Sequence, residues 1–196
     1  MPLDDPNDDQ RYILSARLSA GPSRREYVAT FIQAGRVRTR DGGYADWIIP
    51  PEVIQQAGHD HLFSAKAVFI DHADGSLLGS DYPSLRNLVG VTANAHYNPT
   101  NASIEGIIRL YPTPQGAWVA HVLDQIVADQ AAGRETPDVG LSIVFFGTHV
   151  QQEYQGQPMR ITQAIRHVES VDLVFGPAAA GRIQHALSKQ NIRKGA

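Results

Sequence analysis

The sequence predicts an α+β fold built on a mostly antiparallel β-sheet or barrel. Six to eight short apolar segments have the alternation typical of strands, and only one long segment has helical periodicity. Strands and helices also do not alternate regularly, as they do around a parallel sheet. With 196 residues, of which 42% are hydrophobic and 19% charged, the chain is long enough for one domain with a substantial core.

The predicted strands are separated by segments rich in proline, glycine and asparagine, which favour turns. Residues 24–34 fit either a strand or a short helix, and residues 147–158 fit a turn within a polar hairpin. The clearer strands lie at residues 12–18, 47–49, 65–71, 88–96, 103–111, 140–147, 159–166 and 168–175.

The clearest helix is predicted over residues 118–132, where apolar residues recur every three or four positions until Gly133. A short helix is predicted over residues 52–57, with Pro51 near its start and Gly58 as its stop. A third helix is predicted at residues 178–189.

We expect one domain over residues 11–188. Residues 1–10 contain four aspartates and two prolines, which predicts an acidic, flexible N-terminal tail, and residues 189–196 predict a frayed polar tail.

Composition excludes several classes of function. A formal net charge of −3 gives no electrostatic case for nucleic-acid binding. The absence of cysteine excludes disulfides, a cysteine nucleophile and thiolate metal sites. No secretory signal and no apolar run of membrane-spanning length is visible, so we expect no membrane partner and an intracellular protein.

A serine and a histidine stand out as a candidate nucleophile and base. Ser142 lies between Leu141 and Ile143 in an apolar segment, and His72 follows the predicted strand at residues 65–71. Acyl transfer also needs a group that orients the base. Asp172, Glu169 and His167 are candidates for that role. From the residues alone, structural roles for this serine and histidine are the commoner alternative, and Gly140-Leu141-Ser142-Ile143 is not the nucleophile elbow of α/β-hydrolases.

Two further patterns have ordinary explanations. His59-Asp60-His61 has the spacing of metal ligands, but it follows a helix-ending glycine and fits a solvated turn better. Arg36, Arg38 and Arg40 would share one face of a strand, either as a solvated edge or as a contact for an acidic partner.

Taken in order, several segments resemble the prohead (head-maturation) proteases of tailed bacteriophages. Those enzymes are themselves similar to the herpesvirus assemblins, serine proteases with a β-barrel core surrounded by helices. The similarity extends over about residues 65–182. It is carried by the segments Val68-Phe69-Ile70-Asp71-His72, Asn87-Leu88-Val89-Gly90-Val91, Ile104-Glu105-Gly106-Ile107-Ile108, Gly140-Leu141-Ser142-Ile143, Val168-Glu169-Ser170-Val171-Asp172-Leu173-Val174 and Pro177-Ala178.

The resemblance implies a role for each candidate residue. His72 matches the catalytic histidine and Ser142 the nucleophile. Asp172 is preferred as the third member, because its flanking pattern Val-Asp-Leu-Val followed by Pro-Ala resembles one phage subgroup. Glu169 is second, and His167, at an assemblin-like distance from Ser142, is third. Backbone N–H groups around residues 176–182 would stabilise the oxyanion.

The resemblance also implies a function and its setting. The chain would be a serine endopeptidase that needs no metal or organic cofactor. Its substrates would be the scaffolding protein, the major capsid protein and the protease itself, cleaved inside the assembling prohead in the host cytoplasm. A homodimer is implied by analogy with the assemblins. The alternative is a catalytically inactive capsid-assembly or scaffold module of the same fold.

Overall fold

A computed structural model describes residues 11–20, 25–38, 43–71 and 84–177, the first range by its backbone alone. Nine strands and two α-helices make up this described part. In chain order they are β1 (Arg11–Ala20), β2 (Glu26–Gln33), β3 (Gly35–Arg38), β4 (Tyr44–Ile49), α1 (Pro51–His59), β5 (Ala67–Ile70), β6 (Leu88–Asn98), β7 (Ser103–Leu110), α2 (Pro114–Ala131), β8 (Val139–Tyr154) and β9 (Gln157–Phe175).

The nine strands form one curled sheet in the order β3-β4-β9-β5-β6-β7-β2-β1-β8. Because β8 also pairs with β9, the strands from β9 round to β8 form a closed ring of hydrogen-bonded neighbours, with β3 and β4 outside it. Among the described pairings, β9 is parallel to β4 and β5, and the others are antiparallel. The predicted α+β class with a mostly antiparallel sheet is therefore confirmed.

Alternation along the strands sends one set of apolar side chains into a common core. β8 contributes Leu141, Ile143 and Phe145, and β9 contributes Val171 and Leu173. α2 closes over this core with buried residues at helical spacing, namely Val119, Ala120, Leu123 and Val127. A valine, leucine, isoleucine or phenylalanine side chain stabilises the fold by about 1.5–3 kcal/mol when it is fully buried.

The boundaries predicted for the last strands are wrong. β8 continues for 16 residues, past the expected end at residue 147, and β9 is one strand of 19 residues where two were expected. Three β-bulges explain the difference, because β9 carries one extra residue at each of Gln163, Arg166 and Glu169. The strand bends at these points and keeps its pairing with β8.

The helix ends also differ from the prediction. α2 begins four residues early at Pro114, because the Thr113 side chain accepts a hydrogen bond from the Gly116 N–H at 3.1 Å and caps the helix. Gly133, at φ +68°, lies just after its end as expected. Gly58 does not end α1. It lies inside the helix, where a Cβ would come within 2.8 Å of Ile104 Cδ1.

Of the remaining predicted segments, some are described by the structure and others lie outside the described residues. Within residues 24–34, Glu26–Gln33 form a strand, β2, and not a helix. Arg36 and Arg38 are exposed on β3, on either side of the buried Val37, whereas Arg40 lies outside the described residues. The two predicted tails and the helix at residues 178–189 also lie outside them. No helix among the described residues is long and apolar enough to cross a membrane.

Candidate active site

Ser142 and Asp172 lie directly opposite each other on neighbouring strands. β8 and β9 are antiparallel, and their register pairs Ser142 with Asp172. Residues opposite each other in such a pair have Cα atoms about 4.5–5.5 Å apart and side chains on the same face. The structure therefore brings together two of the sequence-predicted site residues that are thirty positions apart in the chain.

These two side chains project away from the hydrophobic core. Their neighbours in sequence, Leu141, Ile143, Val171 and Leu173, belong to the core cluster, so alternation places the serine and the aspartate on the opposite face of the sheet. That face is also closed to solvent, since Ser142 and Asp172 are each only 1% exposed.

Ser170 lies beside Asp172 on the same face. It pairs with Val144 of β8 and is fully buried. Among the described residues its hydroxyl has no hydrogen-bond partner. Ser170 is therefore a buried serine in the same setting as Ser142, two residue pairs along the ladder.

β5 lies on the other side of β9 and leads towards His72. Phe69 pairs with Asp172 and Ile70 with Leu173, so β9 separates β5 from β8. The Asp71 N–H donates to the Leu173 carbonyl at 2.9 Å. Asp71 is exposed and has φ +58°, a left-handed conformation that aspartate adopts more readily than most residues and that ends the strand. His72 itself lies outside the described residues.

The start of β5 is fixed by Thr92 of β6. The buried Thr92 hydroxyl donates to the Phe63 carbonyl at 2.6 Å and accepts from the Lys66 N–H at 2.8 Å. Partial burial lowers the pKa of the Lys66 side chain below its ordinary value. These contacts hold the segment that leads into β5 against β6.

The other two candidates for the orienting group occupy different positions. Glu169 is the extra residue of a bulge and is half-buried. His167 is exposed, pairs with Phe146 and contacts its ring at 6.0 Å between centroids. Phe146 lies four residues along β8 from Ser142, a separation of about 13 Å. Of the three, Asp172 lies nearest to Ser142.

The loop after β9 was expected to supply oxyanion donors. The Gly176 N–H donates instead to the Asp138 carbonyl at 2.8 Å, with Gly176 at φ +59°. Residues 178–182 lie outside the described residues. In this arrangement Gly176 therefore fixes the end of β9 to the segment that precedes β8.

The histidines at residues 59–61 are placed at the end of α1 and in the turn that follows. His59 and Asp60 are exposed, with 3.7 Å between His59 Nδ1 and Asp60 Oδ1. Within the described residues, no group of three histidine, aspartate or glutamate side chains is placed to hold a metal ion.

Regular alternation along the sequence would put Glu169 on the face opposite Ser170, and it does not show the bulge at Glu169. A signal existed in the spacing of the apolar residues. Val168 and Val171 both enter the core, although they are three positions apart and a regular strand would put them on opposite faces. That break in the period of two is the pattern a bulge produces.

Comparison with known proteins finds a similarity in structure. No protein-family model and no curated protein matches this chain. Among solved structures, the chain is similar to the capsid assembly protease of bacteriophage T4, with a TM-score of 0.52. The match covers 87% of this chain and 100% of that one at 15% identity. The two chains share a fold.

Proposed function

We propose that this chain is a serine endopeptidase of phage head maturation. Its substrates would be the scaffolding protein, internal segments of the major capsid protein and the protease itself, all inside the prohead in the host cytoplasm. The observation that carries the proposal is the buried pairing of Ser142 with Asp172 on adjacent strands. The fold shared with a capsid assembly protease supports the same conclusion.

Covalent geometry supports His72 as the base. A peptide bond holds consecutive Cα atoms about 3.8 Å apart, so the backbone of His72 adjoins Asp71 at the end of β5. Asp71 is itself bonded to β9, the strand that carries Asp172 and pairs with Ser142. Ser142 and Asp172 thus lie on neighbouring strands, and the residue before the histidine directly follows β5, the strand on the other side of β9.

The chemistry would proceed through an acyl-enzyme. His72 takes the proton of the Ser142 hydroxyl as Oγ attacks the scissile carbonyl carbon, while Asp172 orients the imidazole. The C–N bond then breaks, and the imidazolium protonates the leaving amine. A water molecule, deprotonated by His72, hydrolyses the ester and returns Ser142 to its free form. Backbone N–H groups would stabilise the oxyanion.

One observation favours the alternative of an inactive capsid-assembly module. Ser142 is only 1% exposed, so a substrate carbonyl does not reach its hydroxyl in this structure. The two functions differ in whether Ser142 ever becomes reactive, and this can be measured without knowledge of the natural substrate.

We expect a fluorophosphonate probe to modify Ser142 covalently, because such probes react with serines that have an adjacent base. The modified residue is identified by peptide mass spectrometry. Ser142→Ala should abolish labelling and, on co-expression with the scaffolding protein of the same phage, reduce cleavage on the order of 10⁶-fold.

Ser170→Ala is the matched control for this experiment. It removes a hydroxyl from the same face of the same strand pair, yet the proposal gives it no part in the chemistry. It should keep full labelling and cleavage. Cleavage that persists in Ser142→Ala would refute the protease proposal, and a protein that never labels or cleaves would support the inactive module.

A further inference from the structure

An apolar groove lies beside the candidate active site, between α2 and the ends of β5 and β9. Trp118 and Val122 line it from α2, Ile70 from β5, and Val174 and Phe175 from β9. Its volume is about 140 Å³. We call this feature the α2 groove.

The mouth of the α2 groove exposes two large aromatic side chains. Trp118 is 61% exposed and Phe175 is 76% exposed. Adjacent exposed apolar residues of this size are unusual on a protein surface unless they bind something. An apolar cavity of about 150 Å³ accommodates a benzene-sized group, so the groove is large enough for one leucine, isoleucine or phenylalanine side chain.

The α2 groove lies at the end of β9, the strand that carries Asp172, and core residues Leu123 and Leu173 line one side of it. Val174 lies two residues beyond Asp172 on the same strand, a distance of about 7 Å, and on the same face of the sheet. Asp71, which precedes His72, is on the rim. A peptide whose scissile carbonyl lies at Ser142 would therefore pass the groove a few residues from the cleaved bond.

We propose that the α2 groove is the specificity pocket of the protease and binds one apolar side chain of the substrate at a fixed position from the scissile bond. The proposal rests on the proposed function. The exposed carboxylate of Asp71 at the rim adds a second preference, because an acidic side chain at that position would be repelled.

Size argues against a second copy of this chain as the occupant. A specific protein interface buries about 1,200–2,000 Å² in total, far more than a groove that takes one side chain. Its position beside Asp71 and Val174 also connects it to the substrate path, which a dimer interface does not require. Dimerisation remains an outcome that the experiment below detects.

The test uses the full chain and a randomised synthetic peptide library, with cleavage sites read by mass spectrometry. The wild type should select apolar residues, and disfavour aspartate and glutamate, at one position relative to the cleaved bond. In Trp118→Glu and Phe175→Glu this selection should disappear. For a preferred peptide, kcat/KM should fall about tenfold, chiefly through a higher KM.

Tyr154→Glu is the matched control, since it places the same charge on an aromatic residue that is 45% exposed in β8, at the end opposite the groove. It should leave the selection and KM unchanged. A second readout is binding of the preferred peptide to the Ser142→Ala form, which should weaken in the Trp118→Glu background by the same factor.

Each outcome bears on one of the two proposals. Ser142-dependent cleavage with no apolar selection, or with a selection that survives Trp118→Glu, would overturn the specificity pocket and leave the protease intact. Loss of a dimer in Trp118→Glu, measured by light scattering, with cleavage preferences unchanged would assign the groove to self-association instead. No Ser142-dependent cleavage at all would overturn the proposed function, and the pocket with it.

Discussion

At the scale of single residues, burial distinguishes Asp172 from the other acidic candidate. A carboxylate that is 1% exposed would be strongly destabilising unless its surroundings compensate for lost hydration. Glu169 is half-buried in a bulge and does not face this cost to the same degree. Because Asp172 is buried opposite the buried Ser142, we prefer it to Glu169 as the group that orients the base.

We expect Asp172→Asn to reduce kcat by about 10³–10⁴-fold, because an amide cannot hold the imidazole in the tautomer that accepts the serine proton. The substitution nearly preserves side-chain shape, so the protein should remain folded by circular dichroism. Glu169→Gln and His167→Ala, measured in parallel, should change kcat by less than about tenfold. If Glu169→Gln proved the most damaging of the three, the third role would pass to that residue.

At the scale of elements, one tyrosine attaches α2 to the sheet. Tyr27 of β2 is fully buried, and its hydroxyl lies 2.9 Å from both the Ala120 carbonyl and Asp124 Oδ1. Burial, followed by the hydrogen bond and the charge of Asp124, raises the pKa of the Tyr27 phenol far above its ordinary value of 10.0. α2 carries one wall of the α2 groove, so this anchor also positions the proposed pocket.

Tyr27→Phe should lower the free energy of unfolding by about 1–3 kcal/mol, because it removes the hydroxyl that lies against the buried Ala120 carbonyl and the part-buried Asp124 carboxylate. The pH dependence follows from the raised pKa. Folding favours the neutral phenol, so this contribution is complete below about pH 10 and declines as the pH rises above it. Urea denaturation between pH 8 and 11 should therefore show the difference between wild type and Tyr27→Phe shrinking above pH 10. A constant difference would contradict this account.

Elements that depend on neighbouring residues in the chain could be predicted from the sequence. Features that depend on residues far apart in the chain could not. α2 follows from local periodicity, apart from its first turn, and α1 from the proline near its start. The register that joins Ser142 to Asp172 does not, because it depends on three bulges, and a slip of one residue would move every side chain to the other face. Order in sequence suggested that these residues act together, and only the folded strand pair places them opposite each other.

At the scale of the whole molecule, β8 and β9 have two different parts. From Val139 to Gly147, β8 pairs with β9 on one side and, over part of this length, with β1 on the other. This part of β8 supplies core residues to the closed ring. From Val150 onward β8 is exposed as far as the hairpin tip, which includes Tyr154, 45% exposed, whereas the facing part of β9 buries Met159 and pairs with β4. The candidate site lies in the first part, so stability and site geometry depend on the ring and not on the hairpin.

We therefore expect a sharp contrast between two aromatic truncations on the same strand. Phe145→Ala removes a fully buried ring that contacts Trp47 at 6.2 Å between centroids, and should lower the free energy of unfolding by about 3–5 kcal/mol. Tyr154→Ala should change it by less than about 0.5 kcal/mol. Hydrogen exchange should agree, with slow exchange at residues 140–147 and fast exchange at residues 150–157. Equal protection along β8 would mean that the hairpin is covered in solution and that the ring does not carry the stability alone.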